Sequence, residues 1–188
     1  MIRQSQITRR QAIYYTAALL LPASICTLLV WQLFPEWWQL SVFFWYSIPG
    51  NSFLLLPHEP AVIFAGTLYA PALVAIVGGM ATVPASAIDY QLFKRALALG
   101  PIAQANQSRI SRFAQRAFLW QPWWTVVVVA FSPIPFYPVR LLAPMSNYPA
   151  PRYVVAVVVG RVPRYYLLAW GGSWAVSLLT WNPFSYIF

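Results

Sequence analysis

Long apolar runs separated by proline clusters set the organisation of this chain. The first run, Ala12–Phe34, follows a positively charged start bearing Arg3, Arg9 and Arg10. Crossing a bilayer takes about 20 apolar residues, so this run is long enough. Its charge order is that of a secretory signal. However, no small-residue cleavage site follows, and Ile25 stands before Cys26 where a lipoprotein box needs a small residue. The pattern predicts an uncleaved spanning helix that starts in the cytoplasm and ends at the aromatic anchor Pro35-Glu36-Trp37-Trp38.

The next run, Val42–Leu56, is too short to cross and is interrupted at Pro49-Gly50-Asn51, with Pro57-His58-Glu59-Pro60 directly after it. Irregular backbone at membrane depth is tolerated only where protein or a water-filled cavity satisfies its polar groups. The segment therefore predicts a re-entrant hairpin shaped by Pro57 and Pro60. Ala61–Ile88 is the longest charge-free stretch and is expected to span with tilt. Asp89-Tyr90 closes it, and Lys94, Arg95, Arg109, Arg112 and Arg116 follow, which makes this loop cytoplasmic by the positive-inside rule. Arg109, Arg112 and Arg116 fall on one helical face, away from Ile110, Phe113 and Ala117, as in an amphipathic helix lying on the membrane surface.

Phe118–Phe136 is interrupted at Gln121-Pro122 and runs into Ser132-Pro133-Ile134-Pro135-Phe136-Tyr137-Pro138-Val139-Arg140. Pro133, Pro135 and Pro138 cannot sit together inside a helix, so the chain must turn there. This predicts a second hairpin, entered from the cytoplasmic side. A last span is expected from Tyr153 to about Thr180, kinked at Gly160-Arg161-Val162-Pro163-Arg164. At an offset of 79 residues Tyr69 falls on Tyr148, Val83 on Val162 and Pro84 on Pro163. The expected fold is an all-α integral membrane protein, with spanning helices and two opposed re-entrant hairpins in an inverted repeat, a layout found in many transporters. The expected divisions are 1–40 (cytoplasmic tail and first span), 41–180 (core) and 181–188 (C-terminal tail).

Composition agrees with this reading and narrows the chemistry. Of 188 residues 60% are hydrophobic and 8% charged, with mean hydropathy +0.60, outside the range of soluble domains. Twelve basic residues against three acidic ones give a net charge of +9. On so apolar a chain this excess points to cytoplasmic ends and anionic lipid headgroups, not to nucleic acid. One cysteine and one histidine leave no disulfide and no zinc cluster, and a hydrolytic triad lacks parts. No metal, cofactor or enzymatic activity is expected.

Glu59 is the sharpest single feature. An acid at mid-bilayer costs about 2.5–3.5 kcal/mol or more, and such residues usually mark ion or substrate paths. The alternative is a carboxylate capping the helix that begins near Ala61. Arg140, on the second proline-rich tip, is its expected partner, or else a snorkelling arginine at a helix end. Asp89 is expected either at the interface, paired with Lys94 or Arg95, or on the substrate or ion path with Glu59 and Arg140. Arg161 and Arg164 either join Arg140 in an anion-attracting wall or mark a shorter last span. His58 either tunes Glu59 or is a passive hydrogen-bonding residue.

Pro57-His58-Glu59-Pro60 with Ala65-Gly66 and Ala87-Ile88-Asp89-Tyr90 resembles the first half of DedA-type membrane proteins, also called the VTT or SNARE-associated family. Ser132 to Arg140, followed by Gly160-Arg161 and Arg164-Tyr165, is similar to the second half; the likeness covers Ser41 to Trp170. It implies two facing re-entrant hairpins and movement of a phospholipid or polyprenyl-phosphate headgroup between leaflets of a plasma membrane, with the bacterial inner membrane favoured. The partners it implies are membrane lipids with anionic or phosphate-bearing headgroups, and oligomerisation is left open. The family's membrane-embedded acid maps onto Glu59 and its hairpin arginine onto Arg140. Two features of the family are missing: no acid lies between Ser47 and Asn51, and Pro133-Ile134 stands where a second arginine is common. The alternatives are an ion- or proton-coupled solute transporter, and a non-transporting scaffold using the Lys94–Arg116 loop.

Overall fold

The computed structural model describes residues 9–52, 57–98, 116, 118–133 and 135–180. Those residues form helices and turns, with no strand among them: α1 (Arg9–Leu33), a short 3-10 turn (Pro35–Trp37), α2 (Trp38–Asn51), α3 (His58–Leu68), α4 (Pro71–Ala98), α5 (Pro122–Phe131), α6 (Tyr137–Met145) and α7 (Ala150–Thr180). The predicted basic surface helix around Arg109 and Arg112 lies outside the described residues, and Arg116 is exposed.

Proline placement explains most of the boundaries. Pro122 and Pro138 stand in the first turns of α5 and α6, where a missing N–H leaves no hydrogen bond unmade. Pro57 precedes α3 with φ −70°. The expected single span Ala61–Ile88 is instead two helices. The first ends at Tyr69, which is extended (φ −133°, ψ 158°), and Ala70, the residue preceding Pro71, is disfavoured in the helical region, so the chain restarts at Pro71. A second correction concerns Pro49-Gly50-Asn51, which does not break α2. Pro49 lies inside the last turn, and the helix ends at Ser52 (ψ −168°). Through Gly160–Arg164 the last helix runs unbroken from Ala150 to Thr180. After α6 the chain reverses through Asn147 (φ 51°), a left-handed position that asparagine tolerates.

Helices α4 and α7 pair antiparallel along the centre, with Gly78 against Tyr165, Gly79 against Val162 and Tyr90 against Tyr153. The helices α2 and α3 fold back on each other. The start of α3 meets the end of α2 through His58 and Ser47, and Tyr69 after α3 returns to Glu36 and Gln39. Both short helices α3 and α5 lie against α7, on its later and earlier halves. These crossings are close. A Cβ on Gly66 would sit 2.3 Å from the Ala169 carbonyl oxygen, and one on Gly160 2.4 Å from that of Val127. Small residues that let backbones approach this way are typical of helix pairs in lipid.

Two apolar cores result, one for each helical hairpin. Leu40, Phe43, Val62, Ala65, Val74 and Ala169 form the first, and Phe118, Val126, Val139, Leu142, Tyr153 and Val157 the second. Buried polar residues fall between them, including Thr82, Ser86 and Asp89 on α4 and Arg161 on α7. The exterior is apolar, with Leu28, Phe64, Met80, Trp120, Trp124 and Val128 all more than half exposed. Such a surface suits a lipid environment. By length and composition, Pro71–Arg95 is the one described helix that can cross a membrane unaided (mean hydropathy 1.7); Leu20–Leu33 and Pro122–Phe131 are shorter apolar helices.

Candidate functional site

Helix α2 ends inside the protein, so its last carbonyls need donors. Two guanidiniums supply them. Arg140 of α6 donates through Nη1 to the Ser52 carbonyl (2.5 Å) and through Nη2 to the Asn51 carbonyl (2.7 Å). Arg161 of α7 donates through Nη1 to the same Asn51 carbonyl (3.3 Å) and to Asn51 Oδ1 (2.6 Å). Cations at a helix C-terminus also oppose the negative end of its dipole. The tip of the second hairpin is thereby fastened to the tip of the first, and the Phe136 ring packs on both guanidiniums at 5.6 and 5.1 Å.

Arg140 lies 3.4 Å through Nε from Asp89 Oδ2, and both side chains are shielded from solvent. This Nε makes no hydrogen bond among the described residues, yet at that distance the charges attract strongly in a dry interior. Asp89 is therefore a buried counter-ion and not an interfacial partner of Lys94 or Arg95, both of which are exposed.

Arg164, one turn beyond Arg161, joins two other helix ends. Its Nη1 donates to the Ser132 carbonyl just after α5 (2.8 Å), and its Nη2 is ion-paired with Glu59 Oε1 in the first turn of α3. The expected Glu59–Arg140 pair is thus replaced by two pairs, Glu59–Arg164 and Asp89–Arg140. The reason is geometric. The end of α2 and Asp89 occupy the guanidinium of Arg140, while Glu59 opens toward α7, where Arg164 is the cation within reach. Glu59 stays half-exposed, with 55% of its side chain accessible.

The five charged residues singled out from the sequence therefore meet where the two hairpin tips approach the α4–α7 pair. Pro57, Pro133 and Pro135 are exposed on the turns that bring them there, Pro60 is exposed in the first turn of α3, and Pro138 is the second residue of α6. Sequence reasoning missed Asn51 as the hub, as well as Tyr165, whose hydroxyl donates to Asn51 Oδ1. The available signal was Pro49-Gly50-Asn51 itself, a lone amide in an apolar run. His58 is buried, and its Nε2 lies 3.0 Å from Ser47 Oγ. Ser47 occupies the stretch that lacks an acid, so a Ser–His hydrogen bond joins the two helices near the tip of the hairpin.

A cavity of about 380 Å³ opens beside this cluster, lined by Asn51, His58, Glu59, Arg161, Arg164 and Tyr165. A larger groove of about 530 Å³ runs between α1, α2 and α4, past Pro22, Trp37, Phe44 and Met80, and has no charged lining residue. The polar cavity is the one equipped to hold a charged group. Among the described residues no three His, Cys, Asp or Glu side chains gather as metal ligands.

No curated protein and no solved structure matches the chain significantly. The family model of the VTT domain matches residues 56–174, which takes in α3 to α6, α7 as far as Trp174, and every charged residue of the cluster. With well over half its length matched, and with an apolar exterior around a charged junction of two helical hairpins, the chain belongs to the VTT-domain family of DedA-type membrane proteins.

Proposed function

We propose that this protein moves a phosphate-bearing lipid headgroup between the leaflets of a plasma membrane, without covalent chemistry. In this reading the α2–α3 and α5–α6 hairpins are re-entrant, enter from opposite faces as halves of an inverted repeat, and thin the apolar barrier where their tips meet. The lipid tails stay in the bilayer, so only the headgroup needs a polar path.

The observation that carries the proposal is the state of Arg164. It is held between the half-exposed Glu59 carboxylate and the Ser132 carbonyl, at the wall of a polar cavity inside an apolar protein. A phosphate entering the cavity replaces one acceptor of Arg164 with another, so the guanidinium is never left bare. Glu59 is the displaceable partner because water already reaches it. Arg140 and Asp89 form the fixed frame, since their charges are buried and bound into the end of α2.

The test is leaflet exchange of headgroup-labelled lipid in liposomes containing the full chain, run with phosphatidylethanolamine and with a polyprenyl phosphate. Glu59→Gln and Arg164→Gln are each expected to slow exchange at least tenfold. Folded wild-type protein that moves neither lipid, but accumulates a solute when a proton gradient is imposed, would replace the proposal with coupled solute transport.

A further inference from the structure

The lipid-translocation reading leaves two headgroup chemistries open, a phosphodiester with one negative charge and a phosphomonoester with two. The charges around the cavity distinguish them. Three guanidiniums (Arg140, Arg161, Arg164) and two carboxylates (Glu59, Asp89) meet at the hairpin tips. Asp89 balances Arg140 in the buried frame, which leaves Arg161, Arg164 and Glu59 around the cavity with an excess of one positive charge.

Asn51 supplies a second, independent pointer. Its side chain is 4% exposed and lines the cavity. Oδ1 is fixed in place because it accepts from both Arg161 and Tyr165. A flipped amide would turn its N–H groups toward Arg161, which can only donate, so the orientation is set. The Nδ2 donor therefore faces the other way, buried and without an acceptor among the described residues. Buried donors left unsatisfied are costly, and native proteins keep few of them. One neutral donor beside two guanidiniums is the donor set of an oxyanion site.

We infer that Asn51, Arg161 and Arg164 form an oxyanion subsite whose charge balance, set by Glu59, accepts a singly charged phosphodiester in preference to a doubly charged phosphomonoester. A phosphodiester cancels the excess charge of the cavity. A monoester, whose second ionisation falls near pH 6, brings a second negative charge that meets the Glu59 carboxylate in a confined space. Glu59 thus acts as a specificity-determining residue in addition to being the displaceable partner of Arg164. The inference rests on the translocation reading and adds the class of headgroup.

Two lipids with identical short tails isolate the charge: dihexanoyl phosphatidylglycerol, a diester, and dihexanoyl phosphatidic acid, a monoester. Calorimetric titration of the full chain in neutral detergent micelles at pH 8 is expected to give binding of the diester at least about tenfold tighter than the monoester. Glu59→Gln removes the competing charge and is expected to erase or invert that ratio. Asn51→Asp keeps an oxygen for Arg161 and Tyr165 but replaces the free donor with a carboxylate. It is expected to lose binding of both lipids while retaining wild-type helicity by circular dichroism. Equal binding of the two lipids by wild type, or a preference that Glu59→Gln leaves unchanged, would overturn the inference and leave translocation standing. Inorganic phosphate is the third ligand, and tighter binding of it than of either lipid would assign the site to a free anion. Failure of all three ligands to bind folded protein would remove the subsite and the lipid path together.

Discussion

Replacing Arg140 with glutamine should unfold the junction, and its cost can be worked from the contacts. The guanidinium satisfies two carbonyls at the end of α2, at 2.5 and 2.7 Å, and stands 3.4 Å from a carboxylate that is 2% exposed. Breaking a buried pair by removing one partner costs about 3–5 kcal/mol, because the remaining charge is left uncompensated. The Ser52 carbonyl, deprived of its Arg140 donor, adds about 1–3 kcal/mol, part of which the glutamine amide recovers, while the Asn51 carbonyl keeps Arg161 at 3.3 Å. The expected loss is therefore about 4 kcal/mol or more, a large share of the 5–15 kcal/mol typical of a folded domain. Asp89→Asn should cost less, about 2–4 kcal/mol, since the carbonyls keep their donors. The double variant should be less destabilised than the sum of the two by more than 1 kcal/mol, because the second substitution removes the stranded charge. Unfolding of micelle-bound protein by increasing dodecyl sulfate, followed by circular dichroism, measures all three. Additive effects, or a loss under 1 kcal/mol for Arg140→Gln, would show that this pair does not hold the hairpin tips together.

The other ion pair should behave in the opposite way. Glu59 is 55% exposed, so Glu59→Gln is expected to change unfolding free energy by less than about 1 kcal/mol in the same assay while slowing lipid exchange at least tenfold. Gly66→Val would drive a side chain into the Ala169 carbonyl, 2.3 Å from the new Cβ. It should destabilise by at least about 1–3 kcal/mol, read as a lower dodecyl sulfate midpoint. Helix α1 is tied to α2 by the Trp45 Nε1 to Thr27 Oγ1 bond at 3.0 Å. Thr27→Val should cost about 0.5–1.5 kcal/mol and appear first as faster hydrogen exchange within α1.

What the sequence revealed and what it hid follow from the kind of signal each feature carries. Helices, turns and the five charged residues were legible because charge and proline stand out against an apolar background. The break at Tyr69-Ala70 was hidden, since hydropathy stays high across it and one proline at 71 looks like the tolerated prolines at 84 and 163. The reverse error at Pro49 has the same root. A proline marks a helix break only if the residues after it have somewhere else to go, and the partners that hold Asn51 come from α6 and α7, more than 85 residues away. The pairing of charges could not be read at all. Which carboxylate meets which arginine depends on the rotation of α7, which turns Arg161 toward the end of α2 and Arg164 toward α3. Asn51 was overlooked because one amide in an apolar run carries no charge to attract notice, although its buried Oδ1 accepts from both Arg161 and Tyr165.

The central claim is that Arg164 carries the headgroup, and one comparison along a single helix tests it. Arg164 and Arg152 both lie on α7, but Arg152 is exposed near its start and belongs to neither ion pair. Leaflet exchange of headgroup-labelled phospholipid should be measured in liposomes holding equal amounts of wild type, Arg164→Gln and Arg152→Gln. The account predicts fast exchange for wild type and Arg152→Gln, and a rate near that of protein-free liposomes for Arg164→Gln. Equal rates for the two variants, or an Arg164→Gln rate matching wild type, would contradict it.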